Sequence, residues 1–171
     1  MSRMARSRYD GVEITSKELK AQKYKIFPFT ARFNYDWSTG EAVGRFLAEL
    51  KEGRIIGRRC SRCGRILVPP RMFCEEDFRP TDEWIYVKDH GTIKTYSVSY
   101  LNADASRAEK PTVVAVIALD GASEGMGFLH LLEEVAPGKV EIGMRVKARW
   151  KPKAQRRGAI TDIASFVPEV S

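Results

Sequence analysis

The stretch CSRCGRILVPPRMFCEED, Cys60 to Asp77, decides how the rest of the chain is read. Cys60 and Cys63 stand in CxxC spacing, and Gly64 follows where the backbone must turn sharply. Cys74 opens a second turn after ten intervening residues, and Asp77 stands where a second CxxC would close. A structural zinc site needs four donors in a tetrahedron, and two close pairs joined by a loop supply them economically. Cys60, Cys63, Cys74 and Asp77 are the predicted ligands, with Glu75 and Glu76 also within reach of the fourth position. An oxygen donor among thiolates binds zinc less tightly than a fourth thiolate. An iron centre of the rubredoxin type fits worse, since it wants four thiolates. A catalytic zinc usually uses histidine and keeps a place for water. His90 and His130 are distant in sequence, so each reads as an ordinary surface or core histidine.

Short strands lead into and out of the first turn, RIIGRR and RILV, and Pro69-Pro70 ends the second. Upstream, Thr15 and Glu18 have capping-box spacing and predict a short helix over Ser16–Lys25, stopped by Pro28. Ser38 and Glu41 repeat that spacing. Val43, Phe46, Leu47 and Leu50 then recur at helical intervals, and Gly53 is placed to end the helix. This apolar face packs either on its own protein or on a partner.

Downstream of Pro80 the pattern is all-β. TIKTYSVSY (92–100) is β-branched and aromatic, and TVVAVIAL (112–119) is apolar on both faces, as for a strand covered on two sides. Gly121, Gly125 and Gly127 mark a connection before FLHLL. MRVKARW alternates, with Met144, Val146, Ala148 and Trp150 on one face and Arg145, Lys147 and Arg149 on the other. RRG (156–158) reads as a hairpin tip before AITDIASFV. The fold class is mainly β: N-terminal helices (1–53), a zinc ribbon (54–79) and a five-stranded OB-fold barrel (80–171).

The 171 residues are 43% hydrophobic and 30% charged, a globular balance without a membrane-length apolar run. Three clustered cysteines point to metal ligation in a reducing cytoplasm rather than to disulfides. The net charge of +7 favours anionic partners without choosing among them. Arg145, Lys147, Arg149, Lys151 and Lys153, extended by Arg156 and Arg157, form either a solvated face or a site for phosphates. There is no GxSxG, Walker loop, HExxH or GxGxxG after a strand, so nothing nominates an enzyme. OB-folds and zinc ribbons also bind single-stranded nucleic acid. Such binders present aromatic platforms, whereas the basic face of MRVKARW has none. Tyr96 and Tyr100 share a face, where cross-strand core packing is the expectation.

The succession CxxCG, PPR, the third cysteine, IGMRV and AITDIASFVPE resembles the acyl-CoA-associated family with a rubredoxin-like zinc ribbon and an OB-fold, catalogued as domain of unknown function 35. The resemblance spans about residues 38–168 and is closest to the archaeal branch, including thermoacidophiles. Many members carry four ribbon cysteines; Cys60, Cys63 and Cys74 match the first three, and Asp77 falls on the fourth. The resemblance implies a non-catalytic accessory scaffold that bridges acetoacetyl-CoA thiolase and HMG-CoA synthase on the mevalonate route. It also implies structural zinc and a contribution to a site for CoA or acyl-CoA.

Overall fold

The computed structural model describes residues 14–21 and 29–169. The chain divides into two compact units, residues 1–37 and 38–171. In the first, α1 (Ser16–Lys20) opens with the expected capping box: Glu18 N–H donates to the Thr15 hydroxyl, and Thr15 N–H donates to the Glu18 carboxylate at 3.1 Å. The expected extension of that helix to Lys25 and its stop at Pro28 lie outside the described residues.

The second unit begins with α2 (Gly40–Lys51). Its N-cap is Thr39 without a side-chain capping bond; Ser38 instead accepts from the Gly40 N–H at 3.4 Å, so the expected Ser38–Glu41 box does not form. The buried stripe is Ala42, Phe46 and Leu50, while Val43 lies one position round the helix and is exposed. Gly53 adopts φ +79° just past the helix and donates to the Leu50 carbonyl, the expected terminator.

The ribbon follows: β1 (Ile55–Arg59), β2 (Ile66–Leu67), β3 (Phe73–Cys74), β4 (Arg79–Pro80) and β5 (Glu83–Val87). β1 is the centre of a sheet ordered β2-β1-β5, and β3 pairs with β4. The sheet around the cysteine turns therefore runs past Arg79, where the sequence reading ended it, because Ile55–Arg59 pairs along the whole of β5. Arg58 is buried under this sheet. It donates to the Thr81 hydroxyl at 2.6 Å and to the Thr81 carbonyl, and stacks 4.6 Å from the Trp84 ring. Arg45 of α2 lies 4.4 Å from the same ring, so one indole ties helix to ribbon.

Five strands make the barrel: β6 (His90–Leu101), β7 (Arg107–Leu119), β8 (Phe128–Leu131), β9 (Arg145–Trp150) and β10 (Ile163–Pro168). Their order is β10-β9-β6-β7-β8. A parallel bridge, Leu132 to Phe166, closes the circle, with Glu133 N–H donating to the Phe166 carbonyl at 2.9 Å. The GASEGMG segment is the β7–β8 connection, as expected; a Cβ on Gly127 would sit 2.1 Å from the Ile117 carbonyl. Val113, Ala115, Ile117 and Leu119 of β7 fill the interior with Ile93, Phe128, Val146, Ile163 and Phe166. Phe46 and Leu50 of α2 join that cluster, with the Phe46 and Phe128 rings edge-on at 5.8 Å. The helix face left open by the sequence is thus buried on its own barrel.

Three expectations change here. The outer face of β7 is not covered: Val114 and Val116 are half-buried beside the exposed Leu129 and Leu131. Tyr96 and Tyr100 are exposed at 38% and 60%, not packed, because β6 runs on past β9, whose pairing with it ends at Thr92. The RRG stretch is not a tight tip. It lies in a longer β9–β10 connection built on two 3-10 turns, Lys153–Gln155 and Ile160–Asp162. Buried Asp162 organises it by accepting the N–H groups of Arg157, Gly158 and Ala159 at 2.7–3.1 Å. No helix among the described residues is long and apolar enough to cross a membrane.

Candidate metal centre

Two similar turns face each other. In the first, Cys60 N–H donates to the Arg65 carbonyl and Gly64 N–H to the Cys60 carbonyl, with Gly64 at φ +75°. The second runs from Cys74 to Phe78 between β3 and β4. Together they bring one donor atom each from Cys60, Cys63, Cys74 and Asp77 within 4.8 Å of one another. Cys63 Sγ lies 3.7 Å from Cys74 Sγ, and Asp77 Oδ2 lies 3.0 Å from Cys60 Sγ and 3.8 Å from Cys74 Sγ. A tetrahedron with zinc–sulfur bonds of about 2.3 Å separates its sulfurs by about 3.8 Å. The cluster fits that ion.

The neighbours explain why Asp77 and not another carboxylate turns inward. Glu75 is held by Arg65 at 3.0 Å and Arg71 at 3.1 Å, and Glu76 by Arg65 at 2.9 Å. Asp77 keeps one oxygen 3.5 Å from Arg62 and aims the other at the thiols. Hydrogen bonds from Cys63 and Cys60 hold its carboxyl below the usual range. The same contact pushes the Cys63 thiol up to about 12, whereas the backbone N–H groups of Asp77 and Glu76 lower that of Cys74. Zinc takes cysteine as thiolate, so a dication entering here would release the thiol protons. All four donors are protein atoms and their number completes a tetrahedron, the form of a structural site rather than one that activates water.

The two histidines stand apart from this cluster. His130 is buried, accepts the Leu131 N–H through Nδ1 at 2.9 Å and reaches the Ile160 carbonyl through Nε2 at 3.3 Å. His90 contacts Glu169 at 2.8 Å in a cleft of about 570 Å³ that also holds Arg54, Tyr86, Asp120 and Arg145.

The expected basic face is only partly available. Its alternation holds, with Val146 and Ala148 inside and Arg145, Lys147 and Arg149 outside. But Arg145 forks onto Asp120 at 2.6 and 2.7 Å, Arg149 pairs with Glu133 and Glu134, and Lys153 reaches Glu52 at 2.8 Å. Lys151 is half-buried at a cleft of about 550 Å³ beside Gln155, Arg157 and Thr161. Neither Gln155 nor Thr161 was marked by the sequence, since only the long β9–β10 connection brings them to Lys151.

These features define the class: a ribbon with a four-donor cluster able to hold a metal, joined to an OB-fold barrel. Residues 47–83 match the family model described as ChsH2, rubredoxin-like zinc ribbon domain, and residues 84–151 match ChsH2, C-terminal OB-fold domain. The chain is 34% identical over 98 residues to a DUF35 domain-containing scaffold protein of Methanocaldococcus jannaschii, covering 57% of this chain and 67% of that one. It is 33% identical over 101 residues to a probable enoyl-CoA hydratase alpha subunit of Thermomonospora curvata, covering 58% of this chain and 30% of that protein. A DUF35-family crystal structure from Sulfolobus solfataricus superposes with a TM-score of 0.55 at 33% identity, over 64% of this chain and 78% of that one. The Ltp2-ChsH2(DUF35) aldolase superposes with a TM-score of 0.57 at 24% identity, over 79% of this chain and all of that one, a likeness of fold. The protein belongs to the DUF35 family.

Proposed function

We propose that this protein is a non-catalytic scaffold of acyl-CoA metabolism that bridges acetoacetyl-CoA thiolase and HMG-CoA synthase in the cytoplasm. The observation that carries the reading is its likeness, at 34% identity, to a relative described as a DUF35 scaffold protein. A metal cluster completed by protein donors supports it. Cys60, Cys63, Cys74 and Asp77 hold zinc, which locks the two turns of a ribbon too small to have a core of its own. The metal supplies rigidity, and the chemistry belongs to the partner enzymes.

The work of such a scaffold is positional. Holding the second enzyme beside the first raises the effective concentration of the intermediate at the next site. Prompt consumption then draws an unfavourable condensation forward. For CoA phosphates the best-placed cations are Lys151 and Arg157, with Lys147 nearby on β9, because Arg145, Arg149 and Lys153 already face carboxylates.

The test is to mix the protein with purified thiolase and synthase from the same organism and follow the three by size-exclusion chromatography with light scattering. A complex containing all three is the expected outcome, and calorimetry with CoA should lose heat when Lys151 and Arg157 become Ala. Three separate peaks overturn the bridge. The exposed Tyr96 and Tyr100 favour one rival, single-stranded nucleic-acid binding. Binding of an oligonucleotide that weakens steeply with salt, without enzyme binding, would establish it.

A further inference from the structure

The β6–β7 hairpin leaves one long strand edge without a neighbour. β7 covers one side of β6 from Gly91 to Leu101. On the other side β9 pairs only with His90, Gly91 and Thr92, and Ile93 adds two bonds, to Gly143 and Met144. At the far end the Ser99 hydroxyl takes up both the N–H and the carbonyl of Leu101. In between, over residues 94–100, this edge meets no strand among the described residues. Every residue of the span is exposed except half-buried Val98. Sheets commonly blunt such an edge with charged side chains or proline, because its open N–H and carbonyl groups invite another strand. TYSVSYL (95–101) carries neither, in a chain that is 30% charged.

The same edge reads identically in both directions. Tyr96-Ser97-Val98-Ser99-Tyr100 is a palindrome centred on Val98. In an isologous contact the same patch of each copy meets its counterpart, so positions before the two-fold axis face positions after it. With the axis at Val98, Val98 faces itself, each Ser97 faces Ser99 of the other copy, and each Tyr96 faces Tyr100 of the other copy. Aromatic and hydroxyl pairs of this kind stabilise neighbouring strands. The centre of the palindrome is regular strand, since β6 pairs with β7 without a break over residues 95–99. The register shifts lie outside it, between Ile93 and Thr95 and between Ser99 and Leu101. Tyr96 and Val98 stand opposite the buried Ala115 and Val113 of β7, on a face that continues the barrel interior. The charges agree as well, because the antiparallel order brings Lys94 of one copy to the end that holds Asp104 of the other.

We propose that residues 95–100 of β6 pair antiparallel with the same residues of a second copy, joining two barrels through one continuous sheet. This goes beyond the scaffold reading and stands without it. It accounts for the exposed tyrosines with no nucleic acid involved.

The experiment follows the full zinc-loaded chain by sedimentation velocity and light scattering from about 5 to 300 µM, a range suited to an interface this short. A 19.4 kDa monomer that gives way to a dimer, and to nothing larger, is expected. Ser97→Lys with Ser99→Lys sets lysine against lysine twice across the axis and should weaken the dimer about tenfold or more. Ser97→Lys with Ser99→Glu sets lysine against glutamate at both places and should stay within about threefold of wild type. Amide exchange of the wild type is read at the same concentrations. Protection across residues 95–100 should rise with concentration while that of Ile117 stays constant. A chain that remains monomeric overturns the proposal, and so do two folded double variants that behave alike. Protection already complete in the monomer means that the edge is covered from within the chain, and overturns it too. Growth beyond dimers replaces the two-fold with head-to-tail pairing. An oligonucleotide that binds the monomer and protects the same residues makes nucleic acid the occupant instead.

Discussion

Ribbon and barrel sit side by side in one unit yet are held by different forces. The barrel encloses Ile93, Ile117, Phe128, Val146, Ile163 and Phe166, and apolar burial stabilises it by the usual route. In the ribbon beyond β1, the buried residues are few: Cys60, Leu67, Val68, Pro70, Cys74 and Thr81. Guanidinium groups take the place of a core there. Arg58 grips Thr81 and Trp84, and Arg65 gathers Glu75 and Glu76. The difference teaches that the ribbon's geometry depends on a few directional contacts around its four donors, whereas the barrel's depends on filled volume.

The largest expected effect is removal of the metal. A chelator, or Cys60→Ser, should lower the first melting transition by about 10 °C or more, by analogy with metal-dependent small modules. Amide protection should disappear across residues 60–81 and persist at Ile117 and Val146. Asp77→Ala should shorten metal retention and Asp77→Cys lengthen it. Protection lost equally from both regions would erase the contrast. Next comes Phe166→Ala, which empties the barrel centre and should cost about 3–5 kcal/mol in denaturant unfolding. Zinc content measured below the transition should stay the same.

Asp162 gives a smaller effect that sharpens the polar side of the comparison. Burial raises its pKa, but the N–H groups of Arg157, Ala159 and Gly158 outweigh that and hold it below the ordinary value. A lowered folded pKa means that the contribution is complete above the unfolded pKa, about 3.9. It is lost as pH falls from there through the folded value. Asp162→Ala should therefore cost about 1–3 kcal/mol at neutral pH and flatten the acid limb of the stability curve. Smallest is Arg149→Ala. Its pairs with Glu133 and Glu134 join half-exposed side chains, so stability should move by no more than about 0.5 kcal/mol. A larger change would mean that the outer barrel face is held by charge after all.

Much of the architecture was legible because local chemistry repeats at local spacing. CxxCG marks a turn wherever it stands, and the alternation of MRVKARW assigned Val146 and Ala148 to the interior correctly. The helical stripe through Phe46 and Leu50 was equally plain. The errors sit where a neighbour distant in sequence decides. Ser38 and Glu41 had the right spacing for a capping box, but the helix begins one residue later, at Gly40. Tyr96 and Tyr100 alternate like core residues, yet β6 outruns β9, the strand beside it.

By itself, the sequence determined the cysteine turns, the inner and outer faces of β9 and the order of helix, ribbon and barrel, because these follow from spacing within a few residues. Tertiary structure alone decided which carboxylate faces the thiols, which cations remain unpaired, and where the apolar side of α2 is spent. Each of those depends on partners such as Arg65 beside Glu75, Asp120 beside Arg145, or Phe128 beside Phe46. Such pairs are set by strand register and chain closure, which no local periodicity encodes.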